Sequence, residues 1–322
     1  MENTYSLVSG RWWLLFVPVW VLILPLAGQS ADTPMTRLVD PERLEAHVRM
    51  LSDTLVPRDA THPQRLDRVA AYVREELVRA HAAVSDQPFQ VDGISYRNVV
   101  ARYGPDAQEC VVVGAHYDAA GPYPGADDNA SGVAALLELA SALGKTSVPT
   151  TVELVAHTLE EAPFFGTAQM GSAVHAQVLR ERGVKVRAMF SLEMIGYFTD
   201  REDTQKFPLP WLSWWYPSTG NFIAVVGKFG HGGLARRVER AMAQASPLPV
   251  FSLTAPRSLP GVGLSDHANY WEVGYPAVMI TDTAFYRNPH YHTRSDTAET
   301  LDYRRMALVV EGVYAAVKAM GE

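Results

Sequence analysis

The chain has 322 residues, of which 48% are hydrophobic and 20% are charged, and its formal net charge is −7. These values are ordinary for a globular protein with a large core. There is no block of like charges, so the sequence argues against nucleic-acid binding, which usually shows a basic patch. The single cysteine, Cys110, lies in an apolar run, and we interpret it as a core residue rather than a reactive thiol.

The first 33 residues form a separate segment. Arg11 precedes an apolar run at residues 12–26 that two prolines interrupt. The run is shorter than the roughly 18–20 apolar residues of a membrane-spanning helix and resembles the apolar part of a secretory signal peptide. Two interpretations stay open: a cleaved signal, or an N-terminal anchor that associates with a membrane. Both predict an exported protein, periplasmic or secreted, whose residues 34–322 form one domain.

The predicted elements alternate between helices and strands. Asp40 and Pro41 predict the N-cap and first position of a helix. The remaining elements are predicted, in chain order, as helix 63–84, strands 88–91, 96–103 and 109–116, helix 129–143, strand 150–158, helix 167–182, strands 184–194 and 222–226, helix 234–244, strand 250–253, a short helix or turn 265–273, strand 277–281 and helix 303–320. This order predicts a three-layer α/β sandwich with a mostly parallel central sheet flanked by helices.

Residues 198–220 interrupt the alternation. This segment contains prolines and many aromatic residues, with Trp211, Trp214 and Trp215 close together. Three interpretations stay open: a surface loop that packs its own aromatic side chains, a lid over an apolar pocket, or an edge that contacts a membrane.

Histidine and acidic side chains recur where predicted strands end and in the loops that follow. In chain order they are His116, Asp118, Asp127, Asp128, Glu160, Glu161, Glu193 and His292. In open α/β sheets, ligands bind outside the carboxyl ends of the strands, so these residues are expected to converge. Imidazole and carboxylate ligands without thiolate suit zinc, and they also accept manganese or cobalt.

The adjacent pair Glu160-Glu161 is informative about mechanism. Neighbouring side chains cannot easily serve one metal equally, so one can be a ligand while the other is free to accept a proton. Each element of the pattern has an ordinary structural explanation, such as helix capping or a solvated face. Their joint occurrence in this order favours a metal site.

The motifs as a set resemble the M28 family of zinc peptidases, which are co-catalytic metallo-aminopeptidases. The residues that carry the resemblance are Gly-Ala-His116-Tyr-Asp118, Gly-Ala-Asp127-Asp128-Asn-Ala-Ser-Gly, Glu160-Glu161, Leu-Glu193-Met-Ile-Gly and Tyr-His292-Thr. The resemblance spans roughly residues 95–318. It implies a zinc exopeptidase-like fold, two zinc ions and a peptide substrate.

Carried over position by position, the resemblance implies a set of metal ligands: His116, Asp127, Glu161, Glu193 and His292. His116 and Glu193 would bind one zinc ion, Glu161 and His292 the other, and Asp127 would bridge both. Glu193 departs from the family, which most often has the shorter aspartate at this position.

The resemblance also implies two catalytic residues. Glu160 would be the general base that activates a water molecule, and Asp118 would orient His116 from behind. A cis peptide bond between Asp127 and Asp128 is implied as well. The expected reaction is the removal of N-terminal residues from peptides. The alternatives are a glutaminyl-peptide cyclotransferase on the same fold and a non-catalytic binding domain.

Overall fold

The computed structural model of the chain describes residues 38–321. The apolar run at residues 12–26, predicted to be a signal or an anchor, lies outside this range. Within residues 38–321, none of the helices combines the length and the apolar character that crossing a bilayer requires.

The described part of the chain contains α-helices α1 Pro41–Arg49, α2 Pro63–Arg79, α3 Gly132–Leu143, α4 Gly171–Glu181, α5 Gly232–Ala245, α6 His267–Glu272 and α7 Tyr303–Gly321. Helix α1 begins where predicted, because the Asp40 side chain accepts a hydrogen bond from the Glu42 amide and Pro41 takes the first helical position. Helix α2 ends earlier than predicted, since the residues from Ala83 onwards pair in the first strand.

One sheet contains the strands β1 Ala83–Val91, β2 Ile94–Tyr103, β3 Glu109–His116, β4 Thr151–His157, β5 Lys185–Glu193, β6 Ile223–Lys228, β7 Val250–Ala255 and β8 Ala277–Thr281. Their spatial order is β1-β2-β4-β3-β5-β8-β6-β7. The central strands β4, β3, β5 and β8 are parallel, whereas β1 with β2, β2 with β4, and β6 with β8 pair antiparallel. The sheet is therefore mixed, with the parallel centre that the sequence predicts.

Alternate residues of β3 pack into two different cores. Val111 and Val113 lie in the core that contains residues of α1, α2, α3, α5 and α7. Cys110 and Val112 lie in the core on the side of α4 and α6. Helices thus cover both faces of the sheet, which confirms the three-layer α/β fold. Burial raises the pKa of the Cys110 thiol to about 12, in agreement with its interpretation as a core residue.

The segment before α3 differs from the prediction. The helix was expected from Asn129, but it begins at Gly132 after an irregular turn in which Asp128 has φ −103° and ψ 90°. The carboxylate of Asp296 accepts hydrogen bonds from the amides of Asp127 and Asp128 and so holds this turn. A distant residue therefore satisfies two backbone amides that precede the helix and have no partner within it.

Candidate metal centre

The first group of side chains lies where the central strands end. His116 and Glu193 are the last residues of β3 and β5, and Glu160 follows β4. His116 Nε2 lies 3.4 Å from Glu193 Oε2 and 3.9 Å from Glu160 Oε2. All three side chains are buried. Parallel strands thus bring together residues that are far apart in the sequence, as predicted.

The second group contains His292, Asp128 and Glu161. His292 Nε2 lies 3.0 Å from Asp128 Oδ2 and 3.3 Å from Glu161 Oε1. The His292 side chain is 36% exposed, whereas both carboxylates are buried. His292 belongs to the loop between β8 and α7, so this group combines loop residues with a residue that follows β4.

Asp128 connects the two groups. Its Oδ1 lies 3.4 Å from His116 Nε2, and its Oδ2 lies 3.0 Å from His292 Nε2. One carboxylate thus faces both histidines with different oxygens. This is the placement that a bridging ligand needs when two metal ions lie about 3.5–4 Å apart.

The structure corrects the expectation for Asp127. Its Oδ1 accepts a hydrogen bond from the Gly196 amide at 2.9 Å, and its Oδ2 accepts one from Asn288 Nδ2 at 2.7 Å. It therefore supports neighbouring loops, and Asp128 occupies the position expected of Asp127. The cis peptide bond is likewise displaced by one residue and joins Asp128 to Asn129. The backbone of this irregular turn is non-helical at Asp128 and Asn129, and the Asp128 carboxylate faces His116.

Asp118 lies behind the first group, where the sequence predicts it. Its two carboxylate oxygens accept hydrogen bonds from the amides of Glu160 at 3.2 Å and Glu161 at 3.0 Å. Its Oδ1 lies 3.6 Å from His116 Nδ1, and its backbone carbonyl oxygen lies 3.2 Å from the same nitrogen. One buried carboxylate thus fixes the glutamate pair and faces the outer nitrogen of the histidine.

Sequence reasoning missed some supporting residues. Ser265 Oγ donates a hydrogen bond to Glu193 Oε2 at 2.7 Å, a contact that depends on how the loop before α6 packs against β5. No local pattern signals it.

His157, which the sequence predicts to be structural, lies with Nδ1 3.1 Å from Asp266 Oδ2 and Nε2 3.2 Å from the Tyr270 hydroxyl.

The site carries more buried carboxylates than its histidines can balance. Burial raises the pKa of Glu160 well above its ordinary value and that of Glu193 to about 7. Burial alone would lower the pKa of His116, but these two neighbouring carboxylates raise it well above 6.5. Partial burial also opposes protonation of His292, yet the neighbouring carboxylates of Asp128 and Glu161 raise its pKa to about 10. The site therefore attracts positive charge.

Several of the atoms that face each other are buried and unpartnered. Among residues 38–321, His116 Nε2, Asp128 Oδ1 and Glu161 Oε1 have no hydrogen-bond partner. Buried polar atoms are rarely left unsatisfied in folded proteins, so such atoms call for an explanation. A divalent cation explains them, and the nitrogen and carboxylate donors fit zinc. The residues present therefore fit the metal that the sequence implies.

Comparison with known proteins identifies the family. A family model described as "Peptidase family M28" matches residues 98–317. The chain belongs to peptidase family M28. It is 46% identical over 308 residues to YfbL of Escherichia coli (strain K12), covering 93% of this chain and 92% of YfbL. It is 26% identical over 223 residues to leucine aminopeptidase 1 of Trichoderma harzianum, covering 65% of this chain and 50% of that enzyme.

Solved structures share the fold of this M28 chain. LapB from Legionella pneumophila has a TM-score of 0.70 at 20% identity, covering 88% of this chain and 72% of LapB. The zinc aminopeptidase BSAP from Bacillus subtilis has a TM-score of 0.69 at 16% identity, with 87% and 94% covered. Fimbriiglobus ruber glutaminyl cyclase has a TM-score of 0.68 at 20% identity, with 92% and 99% covered. At these identities the likeness concerns the fold alone, so family membership is what supports a peptidase.

Proposed function

We propose that this protein is an exported dizinc exopeptidase that removes N-terminal residues from peptides. The observation that supports it best is the placement of Asp128, whose two oxygens face two separate histidine groups. One zinc ion would be held by His116, Asp128 and Glu193, and the other by Asp128, Glu161 and His292. Bound zinc would polarise the scissile carbonyl and lower the pKa of water towards ~7.

Glu160 is the proposed general base. Its carboxylate is buried beside His116, and its backbone amide donates a hydrogen bond to Asp118. It would accept a proton from the attacking water and deliver it to the amine of the departing peptide. Burial raises the pKa of this carboxyl group, which makes its carboxylate a stronger proton acceptor than an exposed glutamate.

An exopeptidase must also recognise the free N-terminus. Glu193, a proposed ligand of the first zinc ion, also lines the adjoining pocket, so the substrate ammonium would be recognised next to it, by the metal or by a carboxylate of the site. Export would follow from the apolar run at residues 12–26, which would be cleaved or retained as a membrane anchor.

Metal analysis and turnover of Glu160→Gln test the proposal. We expect about two zinc ions per chain in the wild type and nearly the same in the variant. We expect hydrolysis of aminoacyl-nitroanilides to fall by about 10²- to 10⁴-fold, since a proton-transfer group is lost without loss of a ligand. Full turnover in Glu160→Gln would exclude its role as the base, and a single zinc ion would exclude the dinuclear centre.

A glutaminyl-peptide cyclotransferase is the second candidate, because a glutaminyl cyclase shares the fold over nearly its whole length. A peptide with N-terminal glutamine separates the two activities. An exopeptidase releases free glutamine, whereas a cyclotransferase leaves pyroglutamate on the peptide and releases ammonia. Chelator-sensitive release of the free amino acid, lost when the N-terminus is acetylated, would support the exopeptidase and argue against a non-catalytic binding domain.

A further inference from the structure

The segment 198–220 forms the roof of an apolar pocket beside the metal centre. The pocket has a volume of about 100 Å³, and Glu193 lies in its lining. Phe207, Leu212 and Tyr216 of the segment line it from the roof side. Of the three interpretations that the sequence left open, the geometry therefore supports a lid over an apolar pocket.

The pocket wall is aromatic and nearly free of charge. Residues 207–221 contain no acidic, basic or histidine side chain. Of the described residues, Glu193 and Lys206 are the charged members of the lining. Lys206 Nζ donates a hydrogen bond to the Asp203 carbonyl at 3.0 Å and is exposed, so its charge is satisfied outside the pocket. The aromatic members of the lining include Phe207, Tyr216, Phe222, Phe251, Phe285 and Tyr286.

The roof is attached at both ends. The Tyr216 hydroxyl donates a hydrogen bond to the Ser252 carbonyl of β7 at 2.9 Å, and the Tyr216 ring meets Phe251 edge-to-face at 6.1 Å. At the other end, Gln205 accepts a hydrogen bond from Arg287 Nε at 2.9 Å and donates one to Thr283 Oγ1 at 2.9 Å. These contacts hold the roof in place, which reduces the entropy lost when a side chain binds in the pocket.

The tryptophans of the same segment face away from the pocket. Trp214 is 78% exposed and Trp215 is 66% exposed, and neither lines the pocket. Their rings contact each other at a centroid distance of 5.8 Å. The segment therefore has an inner side that faces the site and an outer side that does not. This separation provides a matched control for a specificity experiment.

We infer that Leu212 and Tyr216 determine specificity and that the pocket takes an aromatic side chain from the N-terminal residue of the substrate. This inference rests on the proposed function. An aromatic ring would remove its apolar surface from water and find edge-to-face partners in Phe251 and Phe222, whose own rings lie 5.2 Å apart at 87°. A charged side chain would lose its hydration without gaining a counter-ion, because the carboxylate of Glu193 would be bound to the first zinc ion.

Zinc-loaded protein should be assayed with the p-nitroanilides of L-phenylalanine, L-leucine, L-alanine and L-glutamate. We expect kcat/KM for phenylalanine to exceed that for alanine by about 10- to 200-fold and that for leucine by roughly 2- to 10-fold. The glutamate substrate should be the poorest. Equal values for phenylalanine and alanine, or a preference for glutamate, would overturn the inference.

Variants of Leu212 in the roof and of Ala224 in β6 test which residues of the pocket determine the specificity. Leu212→Ala opens the roof and should lower the phenylalanine-to-alanine ratio about 10-fold. Ala224→Leu fills the pocket from β6 and should lower the same ratio by a different route. Trp214→Ser, on the outer side of the segment, should leave the ratio within about twofold of the wild type. An unchanged ratio in both pocket variants, or an equal drop in Trp214→Ser, would refute the assignment.

A binding measurement separates this inference from the proposed reaction. Zinc-loaded Glu160→Gln should bind L-phenylalaninamide about 10-fold or more tightly than L-alaninamide in calorimetry, because binding does not need the base. If this preference is found but the wild type cleaves no substrate, the exopeptidase proposal fails and the pocket assignment stands. If both amides bind equally, the pocket assignment fails whether or not peptides are cleaved.

Discussion

The two histidine groups differ in how the fold holds them. His116 ends a central strand, is fully buried, and has Asp118 behind its outer nitrogen. His292 lies in a loop, is 36% exposed, and stacks on the ring of Tyr291 at 3.8 Å. A ligand fixed by a sheet loses little freedom when it binds a metal, whereas a loop ligand must be ordered. When zinc is added to metal-free protein, we therefore expect the first ion that binds to occupy the His116 group.

The largest effect is expected from replacing Asp128, the residue that faces both histidine groups. Asp128→Asn leaves a neutral amide between the histidines, so neither of the two proposed zinc ions would keep its bridging carboxylate. Bound zinc should fall from about two per chain to near none. Loss of both ions should lower turnover by about 10³-fold or more, since each contributes several kcal/mol to the transition state. Plasma emission spectroscopy and an aminoacyl-nitroanilide assay measure the two quantities.

Asp127→Asn is the matched control for this substitution. Asp127 hydrogen-bonds Gly196 and Asn288 instead of facing the histidines, and burial next to Asp282 raises its pKa well above the ordinary value. The substitution leaves in place the carboxylates that face the histidines, so zinc content should stay near the wild-type level. The opposite result, with zinc lost in Asp127→Asn and kept in Asp128→Asn, would restore the assignment that the sequence alone suggested.

This pair of residues also marks how far the sequence leads. The strands β3 and β8 have the predicted bounds, and His116 and Glu193 lie at the predicted strand ends, because apolar runs and the edge rule for parallel sheets are local signals. The choice between Asp127 and Asp128 depends on a turn that Asp296 holds from far away in the sequence. Single-sequence patterns carry no information about such a contact.

The same limit explains the aromatic segment. The composition of residues 198–220 was compatible with three roles. The role that the structure supports depends on Tyr216 reaching Ser252 and on Gln205 reaching Thr283. These contacts join elements that are separated by more than one strand or helix, so spacing within the segment could not reveal which side faces the site.

The second prediction compares the two histidines in metal-free protein. His116→Ala leaves Glu193 and Glu160 buried without their positive partner, and removing one member of a buried ion pair costs about 3–5 kcal/mol. His292→Ala also leaves Asp128 and Glu161 without a positive partner, but this imidazole is 36% exposed and solvent screens its interactions, so the cost should be smaller than for His116→Ala. Urea unfolding in the presence of a chelator measures both free energies. Equal losses would show that burial does not distinguish the two groups.

A smaller effect is expected from the residue behind His116. Asp118→Asn replaces one of the oxygens that accept the amides of Glu160 and Glu161 with a donor. Changes to residues that support metal ligands typically cost 10- to 100-fold in metal affinity or activity, and we expect zinc affinity to fall within that range. The control is Asp106→Asn, because the Asp106 side chain is 99% exposed. An unchanged zinc affinity in Asp118→Asn would leave Asp118 without a supporting role.

The smallest effect is a dependence of metal stabilisation on pH. In metal-free protein the pKa of Glu193 is raised by burial to about 7, and that of His292 is raised by its carboxylate partners, against partial burial, to about 10. A raised pKa means that the folded state binds protons more tightly than the unfolded state does. The resulting stability is complete below the unfolded values of 4.5 and 6.5 and is lost as the pH rises through 7 and 10.

Zinc should remove much of this dependence, because the cation replaces the protons that balance the buried carboxylates, and because neutral imidazole is the form that binds metal. The melting temperature of chelator-treated protein should therefore fall between about pH 6 and pH 9, while that of zinc-loaded protein falls less. The pKa of Asp128 is lowered by its two histidine partners despite burial. Its contribution to stability is therefore lost as the pH falls, but only in acid, below this range. Calorimetry of both forms across the series measures the difference in melting temperature. A difference that is constant or shrinks with rising pH would mean that protons and metal do not compete for this site.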